Sequence, residues 1–476
     1  MVMKNPGAFV AIFGWTVHGD GKHVKQGEVV KTYERLTWPR TIGFGAQHVV
    51  AMFGSTFIFP IVMGLNPQLA VMMSGVATII FLLIVKGRIP SYLGTSAAFV
   101  GGVAAVHAQG GMPQEVTGAI MVAGIVLALA GVFIHLVGAQ FLTKVLPPVV
   151  VGGVVMLIGF NLAPVVARTY WPQDQWIALI VMLFTIVIAV VAKGFLGRMA
   201  VLLGLVFGYL LSWVFDRAFG QITSFSSSAG EATTHWRVDW SSVYAADWLG
   251  LPPMTDAAAG VVGFHLPVFN AAAIIVMLPG VIALVAENVG HVKAVEEMMG
   301  EPLDKYVGRA VVGDGVATAV VTMVGGSPTT THAENIGVMA ATRVYSTAAY
   351  WAAAGIAILF GFSPKFGALI SSVPGGVLGG IMVVLYGMIG LLGAKIWIEN
   401  KVDFARPVNM VPIAAGVIIA IGDVSLKFSE TFTLSGITLG TIVVLVMYHL
   451  GRWLTDRSAG RAGAAADPGA RNVKRE

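Results

Sequence analysis

Ser327-Pro328-Thr329-Thr330-Thr331-His332-Ala333-Glu334-Asn335-Ile336-Gly337 joins two strongly apolar stretches, 311–324 and 336–341. Small, polar and helix-breaking residues therefore fall where a bilayer-spanning region should carry no open backbone and no charge. A carboxylate at that depth is costly unless it faces a cavity, a partner or a ligand. Irregular backbone is tolerated there only where it is buried in protein or lines a cavity. Pro328 removes a backbone donor and stops an incoming helix. The residues from Thr329 to Ala333 then run extended, and Glu334 opens a short helix, where free N–H groups and the positive dipole end collect. Such a stretch has the make-up of a binding site.

The rest of the chain supplies the membrane. Of 476 residues, 56% are hydrophobic and only 11% charged, and the mean hydropathy is +0.82. A soluble domain carries about 25% charged residues. Runs long enough to span a bilayer recur from Thr41 to His449, since a span needs roughly 20 apolar residues. The composition reads as an all-α polytopic membrane protein, and 59 glycines suit its close helix packing. With no cysteine, disulfides, thiolate metal sites and cysteine nucleophiles are excluded. No compact apolar core opens the chain, so no cleavable signal peptide is expected. A zinc-protease motif, a phosphate-cradling loop and a serine-nucleophile elbow are all missing, which argues against an enzyme.

About fourteen apolar segments are expected, at 41–64, 68–86, 91–108, 116–137, 147–163, 175–193, 199–216, 270–292, 307–325, 328–342, 346–361, 367–394, 408–422 and 434–452. With the N-terminus in the cytoplasm, only Arg168, Arg217, Arg237, Lys365 and Lys427 of the 29 basic residues fall on the outer side. That bias is the positive-inside signature. It accounts for the net charge of +5 without a nucleic-acid partner and puts both termini in the cytoplasm. The expected organisation is a tail at 1–36, a first repeat at 37–216, an outer linker at 217–269, a second repeat at 270–452 and a tail at 453–476. The linker holds Ser226-Ser227-Ser228 and the aromatics Trp236, Trp240, Tyr244 and Trp248. Seven spans on each side of it would make the second half inverted. Many transporters are built that way, and short interrupted segments at matching places in two halves mark their sites.

The two halves echo each other. Gln47-His48 lies in the first segment, and Ser91-Tyr92-Leu93-Gly94-Thr95-Ser96-Ala97 opens the third. At similar separation, Glu287-Asn288 lies in the eighth segment and 327–334 opens the tenth. Glu287 and His291 are four apart and share one helix face. They form either an acid–base pair near neutral pH or an acid with a solvated histidine beside Lys293. In an extended stretch His332 and Glu334 would point to one side. His332 then either tunes Glu334 or faces a vestibule. Residues 92–97 offer bare amides to a ligand, or are a small-residue packing patch. Gln47 and His48 either back the site or form an ordinary interhelical pair. Asp314 is a candidate too, although Gly313 and Gly315 beside it point to a helix contact. Two acids, a histidine and opposed backbone donors suit a planar solute with alternating N–H and C=O groups. A solute missing one of those groups would leave a buried partner unsatisfied.

At these residues the chain resembles the nucleobase–ascorbate transporters, also called nucleobase–cation symporters, in their bacterial uracil and pyrimidine permease branch. Glu334-Asn335-Ile336-Gly337 continuing to Thr342-Arg343 is similar to the family signature. Similar too are Gln47-His48 with Ala51-Met52-Phe53-Gly54, Pro90 to Ser96, and Glu287-Asn288-Val289-Gly290-His291. Gly308-Arg309-Ala310 with Gly313-Asp314-Gly315, and 362–367, are like the pyrimidine permeases. The likeness covers about 37–452.

The resemblance implies fourteen spans in a seven-plus-seven inverted repeat, with a core of spans 1–4 and 8–11 and a gate of spans 5–7 and 12–14. Short antiparallel strands would lie in spans 3 and 10, at 92–97 and 329–333. Glu287 and Glu334 would hydrogen-bond the solute, the backbone at Ala97 and Ala333 would add contacts, and His291 with Glu287 would couple protons. Gln47, His48, Asn335 and His332 would stand behind them. The implied function is proton-coupled import of uracil, with thymine and other pyrimidines in range, across the bacterial inner membrane, without metal or organic cofactor. A homodimer in lipid is implied as well. Ala97 stands where some uracil permeases carry Phe, which widens the pocket, and His332 replaces an expected aromatic. A xanthine or urate carrier is the nearest rival, and an anion channel or exchanger of the same architecture another.

Overall fold

The computed structural model describes residues 13–25, 27–138, 142–193, 195–225, 232–256, 261–428 and 433–466. The readings on Ser226-Ser227-Ser228 and on the outermost parts of both tails (1–12 and 467–476) lie outside the described residues. Residues 13–36, read above as a polar tail, pack against the protein. Strands β1 (Thr16–Val17) and β2 (Glu34–Arg35) pair in parallel. Val30 is fully buried, its N–H donates to Arg343 O at 2.9 Å, and its carbonyl accepts from Tyr345 N at 2.8 Å. Two apolar side chains, Val30 and Leu36, which cluster with Val344, are what composition averaged over 36 residues conceals.

The first half runs α1 (Trp38–Val62), α2 (Pro67–Ile84), β3 (Leu93–Thr95) into α3 (Ala97–Ala108), α4 (Pro113–Val137), α5 (Pro148–Asn161), α6 (Gln175–Val191) and α7 (Ala200–Phe219). A hairpin of β4 (Ile222–Phe225) and β5 (Ala232–His235) follows. The second half runs α8 (Ala271–Met299), α9 (Val307–Thr322), β6 (Thr329–Thr331) into α10 (Ala333–Thr342), α11 (Thr347–Gly361), α12 (Pro364–Ser371), α13 (Gly375–Glu399), α14 (Pro407–Ile421), then β7 (Ser425–Lys427), β8 (Thr433–Ser435) and α15 (Gly436–Ala466). Proline opens several helices where its missing N–H costs nothing, and Asn66, Asp174 and Asn270 cap α2, α6 and α8 with side-chain oxygens.

Among the described residues, eight helices are long and apolar enough to cross a membrane, nine if α11 and α12, bent by 83°, form one broken span. The chain is a mostly helical, multi-span membrane protein. The remaining expected segments are shorter, and those at 91–108 and 328–342 are part strand. The expected segment 367–394 is corrected: α12 ends at Ser371, Pro374 precedes α13, and α13 runs on to Glu399.

The halves interlock reciprocally. Helix α4 packs on α8 and α9, while its counterpart α11 packs on α1 and α2. Likewise α5 packs on α13 and α14, and α13 on α5 and α6. Small residues permit this: a methyl on Gly124 would sit 2.9 Å from Gly315 O, and one on Gly45 would sit 2.7 Å from Ala349 O. Lipid tails offer no hydrophobic drive between helices, so close backbone contact does the holding. Outside the bundle, Arg237 donates from Nε to Asp174 (2.7 Å) and from Nη1 to Asp216 (3.1 Å), fastening the hairpin to α6 and α7.

Candidate functional site

β3 and β6 meet head to tail between the halves, with Leu93 opposite Thr331, Gly94 opposite Thr330 and Thr95 opposite Thr329. Ser96 N donates to Pro328 O at 2.9 Å, and the hydroxyls of Thr95 and Ser327 share a bond of 2.8 Å. The strands are shorter than 92–97 and 329–333. Ser96 Oγ accepts from Ala98 N and starts a helical turn at Ala97, and Ala333 is already the first residue of α10. Each strand thus ends at a helix N-terminus, and both termini border one cavity.

Two strand residues in apolar surroundings leave backbone groups that water cannot satisfy. Threonines on the preceding helices satisfy them. Thr78 of α2 accepts from Leu93 N at 2.9 Å. Thr318 of α9 donates to Thr329 O at 2.9 Å and accepts from Thr329 N at 3.2 Å. Neither residue was singled out from sequence; the available signal was a hydroxyl in an apolar helix at matching places in the two halves.

The cavity, of about 450 Å³, is lined on one side by Ala97, Glu287, His291, His332, Ala333 and Glu334. Opposite stand Val155 and Ile158 of α5 and Leu385, Ile389, Leu392 and Ile396 of α13. Lys395 and Glu399, both exposed, complete the lining, and we take the mouth to lie beside them. All four expected contact positions and both expected coupling residues therefore border one space, with two carboxylates, two imidazoles and two helix N-termini around it.

His291 Nδ1 and Thr331 Oγ1 share a hydrogen bond of 2.8 Å. The histidine is thereby tied to β6, while Lys293 turns outward to Glu296 and Asp304. His332 Nδ1 stands 3.7 Å from Glu334 Oε2, with His332 9% and Glu334 42% exposed. The alternation argument for that pair is corrected: Glu334 is helical, and the strand-to-helix turn brings the two together. His48 and Asn335 lie behind the site. Asn335 Nδ2 donates to Tyr92 O at 3.4 Å, so its Oδ1 accepts from His48 Nδ1 at 2.8 Å. That fixes the His48 tautomer by hydrogen-bond logic. Gln47, half-buried on α1, is not among the cavity's lining residues. Asp314 is fully buried, takes a 2.6 Å bond from Asn288 Nδ2, and sits beside the close contact of Gly315 with α4. Among the described residues no group of three or more acidic, histidine or cysteine side chains is set to hold a metal.

Comparison with known proteins adds an independent line. A family model described as "Permease family", Xan_ur_permease, matches residues 39–428. "Putative pyrimidine permease RutG" of Escherichia coli (strain K12) is 42% identical over 436 residues, covering 90% of this chain and 93% of the relative. "Uracil permease" of Bacillus caldolyticus is 35% identical over 433 residues, covering 88% and 94%. Among solved structures, the transmembrane domain of the cyanobacterial bicarbonate transporter BicA aligns with a TM-score of 0.53 at 14% identity, covering 86% of this chain and 96% of that one. The murine Solute Carrier 26 family member A9 anion transporter, in its inward-facing state, aligns at 0.58 and 10% identity, covering 88% and 69%. At such identities the likeness is one of fold.

Proposed function

The chain belongs to the Xan_ur_permease permease family, a transporter family and not an enzyme, and from that premise we propose that it imports uracil by proton-coupled alternating access. Thymine and other pyrimidines fall within its range. The observation that carries the reading is the meeting of Glu287 and Glu334 with the N-termini of α3 and α10 around one cavity. An ionised carboxylate accepts from an imide N–H, and a free backbone N–H at Ala97 or Ala333 donates to a carbonyl. The alternation of donors and acceptors along a pyrimidine matches that set. His291 and Glu287 carry the coupling proton, with His332, Asn335, His48 and Gln47 behind them. Proton and solute must favour the same states, because a ligand shifts an equilibrium only by its differential affinity.

The wider arrangement follows the same reading. Fourteen membrane passes in seven-plus-seven inverted order, some of them half-length or broken, form a core bearing the site and a gate built on α5–α7 and α13–α15. Reciprocal packing of α4 and α11 supports it. The protein sits in the cytoplasmic membrane as a homodimer with both termini inside, and the mouth at Lys395 and Glu399 then faces inward. The fold's solved neighbours include anion carriers, but two carboxylates on the cavity wall speak against an anion here.

Labelled-uracil uptake into cells or vesicles tests the proposal. Saturable uptake that a protonophore abolishes, with competition by unlabelled uracil and thymine and not by xanthine or ascorbate, is the expected result. Competition by xanthine at equal concentration would move the assignment to the purine carriers.

A further inference from the structure

Two aromatic rings stand where the α13 wall of the cavity ends, away from the exposed Lys395 and Glu399. Along α13 its wall runs from Glu399 and Lys395 through Ile396, Leu392 and Ile389 to Leu385. The next residue, Tyr386, lies roughly 20 Å of helix from Glu399 at 1.5 Å per residue. Its ring stacks on Phe59 of α1, with centroids 6.5 Å apart and planes at 10°. Phe59 lines the cavity, whereas Tyr386 lines a second, apolar space of about 400 Å³ bounded by α5 and α13. The two rings therefore stand between these spaces. Both are 3% exposed.

Two further facts give the pair a direction. Tyr386 is anchored to α5, since a methyl on Gly159 would lie 2.7 Å from Tyr386 O. Phe59 belongs to α1, on the side that carries β3, so a shift of that side against α5 and α13 would move the rings relative to each other. The Tyr386 hydroxyl is also buried and has no hydrogen-bond partner among the described residues. A buried, unpaired hydroxyl is unfavourable, which is explicable if its partner arrives in another state. Tyrosine is otherwise a poor choice for a dry wall, where phenylalanine would serve.

We propose that the Phe59–Tyr386 stack is the barrier sealing the cavity opposite its mouth, and that the Tyr386 hydroxyl is a further solute contact presented when the rings part. The hydroxyl can donate to a carbonyl of a pyrimidine entering from the sealed side. It would thus select at entry and not at release. This rests on the alternating-access reading above.

The chain has no native cysteine, so Ala97→Cys gives a background-free probe inside the cavity. With a membrane-impermeant maleimide at 4 °C, added to right-side-out or inside-out vesicles, labelling should be fast from the mouth side and slow from the other. Phe59→Ala or Tyr386→Ala should raise the slow rate about tenfold, while Tyr386→Phe, which keeps the ring, leaves it low. Mouth-side labelling retained in every variant serves as the control for folding. Equal labelling from both sides in the parent, or one-sided labelling in both alanine variants, would overturn the barrier. For the hydroxyl, Tyr386→Phe should raise the KM for uracil uptake about tenfold, the scale of one hydrogen bond, with equilibrium binding from the mouth side unchanged. An unchanged KM removes that contact. Labelling needs no solute, so a protein that carries no uracil would sink the substrate assignment and leave the barrier to be judged alone.

Discussion

The strands β3 and β6 are fastened alike and end alike, yet the halves to which they belong do different work. Each is held by a threonine from the helix before it, and each runs into a helix N-terminus at the cavity. Past β3 come Ala97-Ala98-Phe99; past β6 come Ala333-Glu334-Asn335. The first helices of the halves differ in the same sense. On α8, Glu287 and His291 border the cavity; on α1, His48 turns away to Asn335 and packs on Tyr350 at 4.3 Å. The first half gives shape and bare amides, and the second gives charge. An inverted repeat that kept acids in both halves would crowd four carboxylates around one small solute, at a steep cost in repulsion and desolvation. Neutrality in one half lets the other keep its acids.

The sharpest way to break this contrast is to neutralise the acids. Glu334→Gln and Glu287→Gln should each weaken uracil binding about 100-fold, the scale of a charge-assisted hydrogen bond lost. Gln47→Ala in the first half should change it less than about threefold, since Gln47 is not among the residues lining the cavity. Equilibrium binding to purified protein reads both. A Gln47 effect as large as that of either glutamate would end the division of labour.

A smaller effect separates the two fastenings. Thr318→Val leaves both the N–H and the carbonyl of Thr329 unpaired, at about 1–3 kcal/mol for each group. Thr78→Val leaves only Leu93 N unpaired, one such increment. Unfolding by detergent titration should rank Thr318→Val as the more damaging. The reverse order would mean that β3 bears more of the load.

Much of this was legible beforehand because it depends on local chemistry. Pro328 and the threonines after it announce a broken segment, and an acid in an apolar surround announces a cavity. That Glu287 and His291 share one helix face follows from helix spacing alone, whereas the bond His291 makes is to Thr331 and not to the acid. Other features were hidden because they depend on distant partners. Nothing near Thr318 says that it will face Thr329, and nothing near Val30 says that it will bridge to Arg343 and Tyr345. The extent of the strands was overstated because Ser96 caps a helical turn at Ala97 and α10 begins at Ala333, local changes that hydropathy does not register. The break at Ser371–Pro374 was missed for a related reason: an apolar window reads through a kink when the residues on both sides are equally apolar.

The subtlest test concerns His48, which the sequence left between a role behind the site and an ordinary helix contact. Its Nδ1–H occupies Asn335 Oδ1, and Asn335 in turn holds the carbonyl of Tyr92 just before β3. Its other ring nitrogen is buried against Tyr350, without a partner among the described residues. Replacement by glutamine keeps a donor for Asn335 and loses the ring. His48→Gln should therefore cost about 1 kcal/mol of stability, the scale of imperfect packing, and leave uracil affinity within about threefold, since no solute contact is removed. His48→Leu also removes the donor and leaves Asn335 Oδ1 unpaired, adding about 1–3 kcal/mol. If glutamine at this position instead weakens binding as severely as the loss of Glu287, the first half contributes more than shape, and His48 must reach the solute through a rearrangement of α1.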